Sequence, residues 1–260
     1  MLAYAAGPQW SSVDTPNVGS VERPEPPRLL VVVEPGALRR LVLLVLNHGE
    51  YDKRSVATTA EARQVIAEWR PHLVVLDLDL VGEPALLIGS LHEGSVEVPV
   101  IGLTRRHDLV TKLAAFERGV DDLLTIPFPP GELVARALAL VRRRHGMTVQ
   151  FRPRMKIGEL EIDLLAGRLV AEGTEIELTP RESALLYVLA ANAGTVMSRD
   201  QLLEYVLGPA AEAIGSNLID RHVRELRLKL RDTVDAPRFI ESVRGQGYRF
   251  LDPDLPDKVA

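Results

Sequence analysis

Three short runs of this sequence end on groups that could do chemistry in one place. "VVLDLDLVG" closes an apolar run on Asp77, "VVVEPG" closes another on Glu34, and "VIGLT" closes a third on Thr104. If these runs are parallel strands of one sheet, their ends gather at its carboxyl edge, where ligands sit in open α/β folds. A carboxylate, a second acid and a hydroxyl around one crevice are donors that could hold a magnesium ion and a phosphoryl group. Taken singly, each has a plainer role: a turn cap, a solvated acid, a loop hydroxyl. Three at one edge make coincidence a poor explanation. A fourth run, "GVDDLLTIPFPPGEL" (119–133), brings Ile126 to the same edge, an isoleucine where charge is common.

A second chemistry lies near the carboxyl end. In "NLIDRHVRELRLKLR" (217–231), Ile219, Val223, Leu226 and Leu230 recur at i, i+4, i+7 and i+11, an apolar stripe that packs inward. The opposite face carries Asn217, Arg221, Arg224 and Leu228, flanked by Glu225 and Arg231. His222 and Arg227 fall at its sides. The segment holds five basic residues and two acids in a chain whose net charge is -5. An isolated helix of this kind is a solvated charged face. Third in a helix-turn-helix, it suits a major groove. Arginine can grip guanine O6 and N7, Glu225 can accept from cytosine N4, and Leu228 can meet a thymine methyl.

The elements that must position these groups fall into two halves. Strand candidates are "RLLVVV" (28–33), "YDKRSV" (51–56), "HLVVLD" (72–77), "VPVIGL" (98–103) and "DDLLTI" (121–126). Helical patterns separate them, loosest around 84–94, and "PGELVARALALVRRR" closes the set. Short strands alternating with helices predict an α/β, doubly wound, five-stranded parallel sheet over 28–144. Residues 145–152 read as a linker. Over 153–252 the rhythm becomes a Gly-broken antiparallel meander, three helices and a final hairpin, "RFIESVRGQGYRF", an α+β winged helix-turn-helix. Capping signals start its helices: Thr179 with Glu182, Ser198 with Gln201, and Asn217 with Asp220.

Composition sets outer bounds. With 46% hydrophobic and 26% charged residues, the 260-residue chain can bury a real core. No apolar run approaches the ~18–20 residues that span a bilayer. Residues 1–27 lack the basic and apolar regions of a secretory signal and read as a disordered tail, and 253–260 read as a C-terminal tail. The absence of cysteine excludes thiolate metal sites and fits a cytoplasmic location. An acidic chain has no global attraction to nucleic acid, so DNA binding must rest on a local patch.

Residues 28–144 resemble a response-regulator receiver domain, and 153–252 resemble the effector domain of the OmpR/PhoB family. "TPRESALLYVLAANAGTVMSRDQLLEYV", "IDRHVRELRLKL" and "VRGQGYRF" carry the second likeness. The resemblance implies a sequence-specific transcription regulator and no enzyme. In that family an aspartate like Asp77 is phosphorylated, two consecutive acids hold magnesium, and a Thr like Thr104 binds the phosphoryl group. A lysine before "PF" pairs with it, and an aromatic three residues earlier acts as a switch. Here the first acid is Val33, the lysine is Ile126 and the aromatic is Leu123. A lost charge-assisted hydrogen bond is worth ~1.5–3 kcal/mol. Only Glu34 and Asp77 then remain for a weakened magnesium ion, and no cofactor is required. Ile126 thus marks a switch whose charged coupling has been dismantled. Arg105 could reach Asp77 or Glu34 and imitate the lysine, in which case the chain is a conventional regulator phosphorylated on Asp77.

The same resemblance makes His222 and Arg227 phosphate contacts, Arg244 the wing arginine that enters the minor groove, and Tyr248 a backbone contact. The loop 208–216 is the family's RNA polymerase-facing loop, preceded here by Leu207 instead of Trp. Receivers of the family pair through charged contacts, matched by Lys112 with Glu132 and Asp122 with Arg136, each worth only ~0–1 kcal/mol. The expected partners are double-stranded DNA as two half-sites, RNA polymerase, a second copy of the chain and a sensor histidine kinase, with no membrane. A rival reading compares "VVLDLDLVG", "PVIGLT" and "GVDD" with a magnesium-dependent haloacid-dehalogenase-type phosphatase. That class also needs a lysine, and its nucleophile strand usually comes first in the domain.

Overall fold

The computed structural model describes residues 25–92, 97–157, 159–164, 166–208 and 217–251. The proposed tails, apart from residues 25–27, and positions 209–216 of the polymerase-facing loop lie outside these residues. Strands β1 (Arg28–Val32), β2 (Asp52–Val56), β3 (Leu73–Asp77), β4 (Val100–Thr104) and β5 (Asp122–Thr125) form one all-parallel sheet ordered β2-β1-β3-β4-β5. This is the expected flavodoxin-like receiver sheet. β1, β3 and β4 are buried along nearly their whole length, as strands covered on both faces must be. Helices α1 (Ala37–Val45), α2 (Thr59–Trp69), α3 (Pro84–His92), α4 (Leu109–Glu117) and α5 (Pro130–His145) provide that cover. The loose segment around 84–94 therefore contains a true helix. Tyr51, expected to open the second strand, instead packs into the core one residue before it.

The second half begins with a four-stranded antiparallel meander, β6 (Arg154–Ile157), β7 (Leu160–Asp163), β8 (Arg168–Ala171) and β9 (Thr174–Glu177). Three helices follow: α6 (Pro180–Ala191), α7 (Arg199–Val206) and α8 (Asn217–Leu230). The capping boxes of Thr179–Glu182 and Ser198–Gln201 form as their spacing demands. Asp220 does not pair with Asn217; it is drawn to Arg199 (2.7 Å) and to the Tyr248 hydroxyl (2.6 Å). β10 (Val196–Met197), β11 (Ile240–Val243) and β12 (Gly247–Phe250) close the wing in the order β10-β12-β11. Gly247 has φ 147°, and a Cβ there would lie 2.0 Å from the Met197 carbonyl oxygen, so the strand crossing requires glycine.

The segment read as a linker is an ordered seam. α5 ends at His145 with Gly146 in the left-handed region (φ 62°), and the chain then runs along a short 3₁₀ turn, Leu46–His48. The Glu50 amide donates to Gln150 and the Arg152 amide to His48 (3.0 and 2.7 Å). α1 packs on α6, and one apolar core runs from Leu38, Val42 and Val45 through Leu185, Tyr187 and Leu226. Within it, His48 is fully buried and bonds the Arg152 carbonyl through Nδ1 (2.7 Å) and the Tyr187 hydroxyl through Nε2 (2.6 Å). A carbonyl only accepts, so Nδ1 carries the proton and Tyr187 donates to Nε2. Burial pushes the His48 pKa down, consistent with that neutral form.

Candidate functional site

The three edge residues converge as their strands require. Asp77 ends β3 and is buried, Thr104 ends β4 and is buried, and Glu34, two residues beyond β1, is exposed. Glu34, Asp77 and Arg105 line a cavity of about 340 Å³, together with Val33, Leu38, Asp79 and Tyr205. Asp77, Asp79, Thr104 and Arg105 are bonded to one another. The Asp79 amide donates to Asp77 Oδ1 (3.0 Å), while Arg105 Nη1 stands 3.4 Å from Asp77 Oδ2. The Thr104 hydroxyl donates to Asp79 Oδ1 (3.1 Å) and accepts from the Arg106 amide (3.1 Å). The Arg105 amide donates to Asp79 Oδ2 (2.6 Å). Burial raises the Asp77 pKa, against the opposing pull of the Asp79 amide and Arg105.

Asp79 is one of the pocket residues that sequence reasoning missed, although "LDLDLVG" displays it two positions after Asp77. Arg105 reaches Asp77, and not Glu34. Its Nε also donates to Glu204 Oε1 on α7 at 2.8 Å, and Tyr205 walls the cavity from the same helix. Two side chains of the second half thus belong to the pocket of the first.

The donors do not fit the magnesium ion that the resemblance implies. Asp77 faces an arginine, Asp79 is held by Thr104 and the Arg105 amide, and Glu34 stands alone at the exposed rim. Among the described residues, no group of three or more His, Cys, Asp or Glu side chains is arranged to hold a metal ion. Ile126 is 2% exposed and sits in the shared core, so it supplies apolar packing where a lysine would supply charge. Leu123 packs beside Leu78 over Gly102, where an added Cβ would lie 2.8 Å from Leu78 and 3.0 Å from Leu123.

On α8 the apolar stripe is buried as its spacing requires, while Asn217, Arg221, Arg224 and Leu228 are exposed. Arg221 is braced by Glu225 one turn on (2.9 Å). Arg231, just past the helix end, is exposed with φ 55°. Arg244 is exposed at the tip of the β11–β12 hairpin. Three expected contacts are corrected. Arg227 is buried and donates through Nη2 to the Ile240 carbonyl and the Ser242 hydroxyl (2.7 and 3.0 Å), tying α8 to the wing. His222 is buried beside the stripe, its ring facing Glu225 at 3.5 Å. Tyr248 is buried and its hydroxyl donates to Asp220. Arg227 and Tyr248 spend their polar groups within the domain.

Of the two charged pairs expected between copies, Asp122–Arg136 closes within this chain, and Glu132 is taken by the same arginine. Arg136 meets Asp122 and Glu132 at 2.5 Å each, which fastens α5 to β5. Lys112 lies on α4, whose Leu109, Val110, Leu113 and Phe116 are exposed.

Comparison with known proteins decides between the regulator and the phosphatase readings. Residues 29–138 match the family model described as the response regulator receiver domain, and 173–250 match that for the transcriptional regulatory protein, C terminal. The DNA-binding response regulator MtrA of Mycolicibacterium smegmatis is 35% identical over 222 residues, covering 85% of this chain and 96% of that protein. This chain belongs to the OmpR/PhoB family of DNA-binding response regulators. The transcriptional regulatory protein KdpE of Mycobacterium tuberculosis is 34% identical over 223 residues, 85% of this chain and 97% of its own. Among solved structures, the OmpR/PhoB homologue DrrB of Thermotoga maritima is 27% identical, covers 87% of this chain and 99% of its own, and superposes with a TM-score of 0.40. Family membership displaces the phosphatase reading: these relatives are transcription regulators. Among the described residues no helix is long and apolar enough to cross a membrane.

Proposed function

We propose that this regulator binds operator DNA without ordinary aspartyl phosphorylation. The observation that carries the reading is the direct contact of Arg105 with Asp77, in a pocket whose lysine position is the buried Ile126. A phosphoryl group would find its oxygen-binding hydroxyl engaged by Asp79 and its acceptor facing an arginine at contact distance. No magnesium-assisted step is invoked, because the donor set does not suit the ion. DNA contact is assigned to the exposed face of α8, with Asn217, Arg221, Arg224, Glu225, Leu228 and Arg231, and to Arg244 on the wing. The apolar face of α4 supports pairing of two receivers, which would present two recognition helices to two half-sites. RNA polymerase is the downstream partner this reading implies, in the cytoplasm.

One observation favours a second reading. Arg105 occupies the pocket as a cation, so it could substitute for the lysine and allow a sensor kinase to phosphorylate Asp77. Genome-wide mapping of bound DNA separates the two. The proposed function expects the wild type and Asp77→Ala to occupy the same sites to similar extents. Loss of those sites in Asp77→Ala would favour the phosphorylated regulator.

A further inference from the structure

Arg105 does more than fill the pocket, because its other end leaves the receiver. Its Nη1 faces Asp77 Oδ2 at 3.4 Å and its Nε donates to Glu204 Oε1 at 2.8 Å, so one planar guanidinium spans both carboxylates. Arginine suits such a bridge, since its donors are fixed in a rigid fork. Its backbone is pinned as well, by the Arg105 amide on Asp79 and the Arg106 amide on Thr104. Tyr205, the next residue along α7, lines the same cavity. The remaining interface denies the two halves a free hinge. α1 packs on α6 in one apolar core, Arg40 donates to Asn192 (2.7 Å), and a Cβ on Gly208 would sit 2.6 Å from the Pro127 ring. Gly208 lies two residues after α7, so the end of that helix abuts the loop that carries Ile126.

We propose that the pocket is a composite of both domains, in which Glu204 positions Arg105 against Asp77 and Arg105 in turn steadies α7. Charge at the receiver's edge is then felt by α7 while the domains stay docked. A partly exposed ion pair does not hold the domains together; the buried α1–α6 core does that. Arg105 is a relay within a fixed assembly. The recognition face of α8 lies outside this relay, because Arg221, Arg224 and Leu228 are exposed in the docked arrangement. Coupling of this kind is reciprocal, so a change on α7 must also alter the pocket. This inference deepens the proposed function but does not share its test, since it concerns mechanical coupling and not whether Asp77 is phosphorylated.

The experiment is backbone hydrogen exchange on the full chain, comparing wild type, Asp77→Asn, Glu204→Gln and Arg105→Ala. Removing either end should raise exchange in α7 about two- to fivefold, the factor that corresponds to a partly exposed ion pair of up to ~1 kcal/mol. Glu204→Gln should also raise exchange at the Arg105 and Arg106 amides, which lie in the other domain. Combining Glu204→Gln with Arg105→Ala should add little to either alone. Amides of β3 and α8 report on folding and should not change. Where Arg105→Ala disturbs those amides, Glu204→Gln, a change at an exposed side chain, carries the test by itself. Unchanged α7 exchange in Asp77→Asn, with unchanged pocket amides in Glu204→Gln, would overturn the relay. Equal occupancy of operator sites by Asp77→Ala bears on phosphorylation alone and leaves the relay standing.

Discussion

The receiver pocket and the outward face of α8 treat charge differently. In the pocket every charged group except Glu34 is answered from within the chain: Asp77 by Arg105, Asp79 by Thr104 and the Arg105 amide, Arg105 by Glu204. On α8 the outward arginines Arg221 and Arg224 remain exposed, and the basic residue that is buried, Arg227, is spent on the wing. A pocket satisfied from within has little left to offer an incoming phosphoryl group. A surface with exposed guanidinium groups still has its binding energy to release on phosphate and base edges. One half of the chain thus answers its charges internally, while the other leaves arginines exposed.

The largest expected effect would blur this contrast if it failed. Arg227→Ala removes a buried guanidinium and leaves the Ile240 carbonyl and Ser242 hydroxyl without their donor. It should lower stability by about 2–4 kcal/mol, read as a drop in the denaturation midpoint. Normal stability with weakened DNA binding would return Arg227 to the reading surface. Next in size, Arg224→Ala should cost ~1–3 kcal/mol of operator affinity and relax specificity at one position, without altering stability. Arg244→Ala should weaken binding with less effect on sequence choice. Titrations at physiological salt showing unchanged affinity in both would remove α8 and the wing from the groove.

A smaller effect is expected at the receiver's outer face. Reversing Glu132 to Lys places a cation beside Arg136 and removes one of its partners, so a receiver-paired dimer should weaken by up to ~1 kcal/mol. Adding Lys112→Glu should restore part of it if the two residues meet across copies. Sedimentation giving the same monomer–dimer balance for all three proteins would show that the Glu132–Arg136 pair serves only within the chain.

The parallel sheet and its active edge were legible because strand periodicity and carboxyl-end position are local properties. Asp77, Glu34 and Thr104 are placed together by the sequence alone. The stripe on α8 was legible for the same reason, yet two of its neighbours were misread. His222 stands three residues after Ile219, and Arg227 four after Val223, so each flanks the stripe closely enough to be covered. For Arg227 what decides is β11 and the wing, which no helical pattern displays. Glu204 was invisible as a pocket residue because an acid on a short amphipathic helix reads as solvated. Its role depends on α1 docking to α6, through apolar residues that each half's own core would equally explain. The 145–152 segment read as a linker from composition, but its backbone bonds with the 46–50 turn are long-range facts.

The least change of all is expected from a phosphodonor, and this sharpens the contrast most. Asp77 Oδ2 and Arg105 Nη1 are in direct contact at 3.4 Å, which leaves no room between them for a phosphoryl group unless Arg105 moves. Moving it would break the bond to Glu204 and abandon the compensation for the missing lysine. A ligand shifts an equilibrium only through its differential affinity for two states, and with Ile126 buried and Leu123 packed on Leu78 little differs between them. Acetyl phosphate with Mg²⁺ should therefore change neither the mass of the protein nor its operator affinity. Val33→Asp, Leu123→Tyr and Ile126→Lys together should make phosphorylation detectable by mass, at a cost in stability because Val33 and Ile126 are both buried. Stoichiometric phosphorylation of the wild type with tenfold tighter operator binding (~1.4 kcal/mol) would mean that Arg105 yields its place readily. The pocket would then be a working switch, and the two regions would differ in exposure alone.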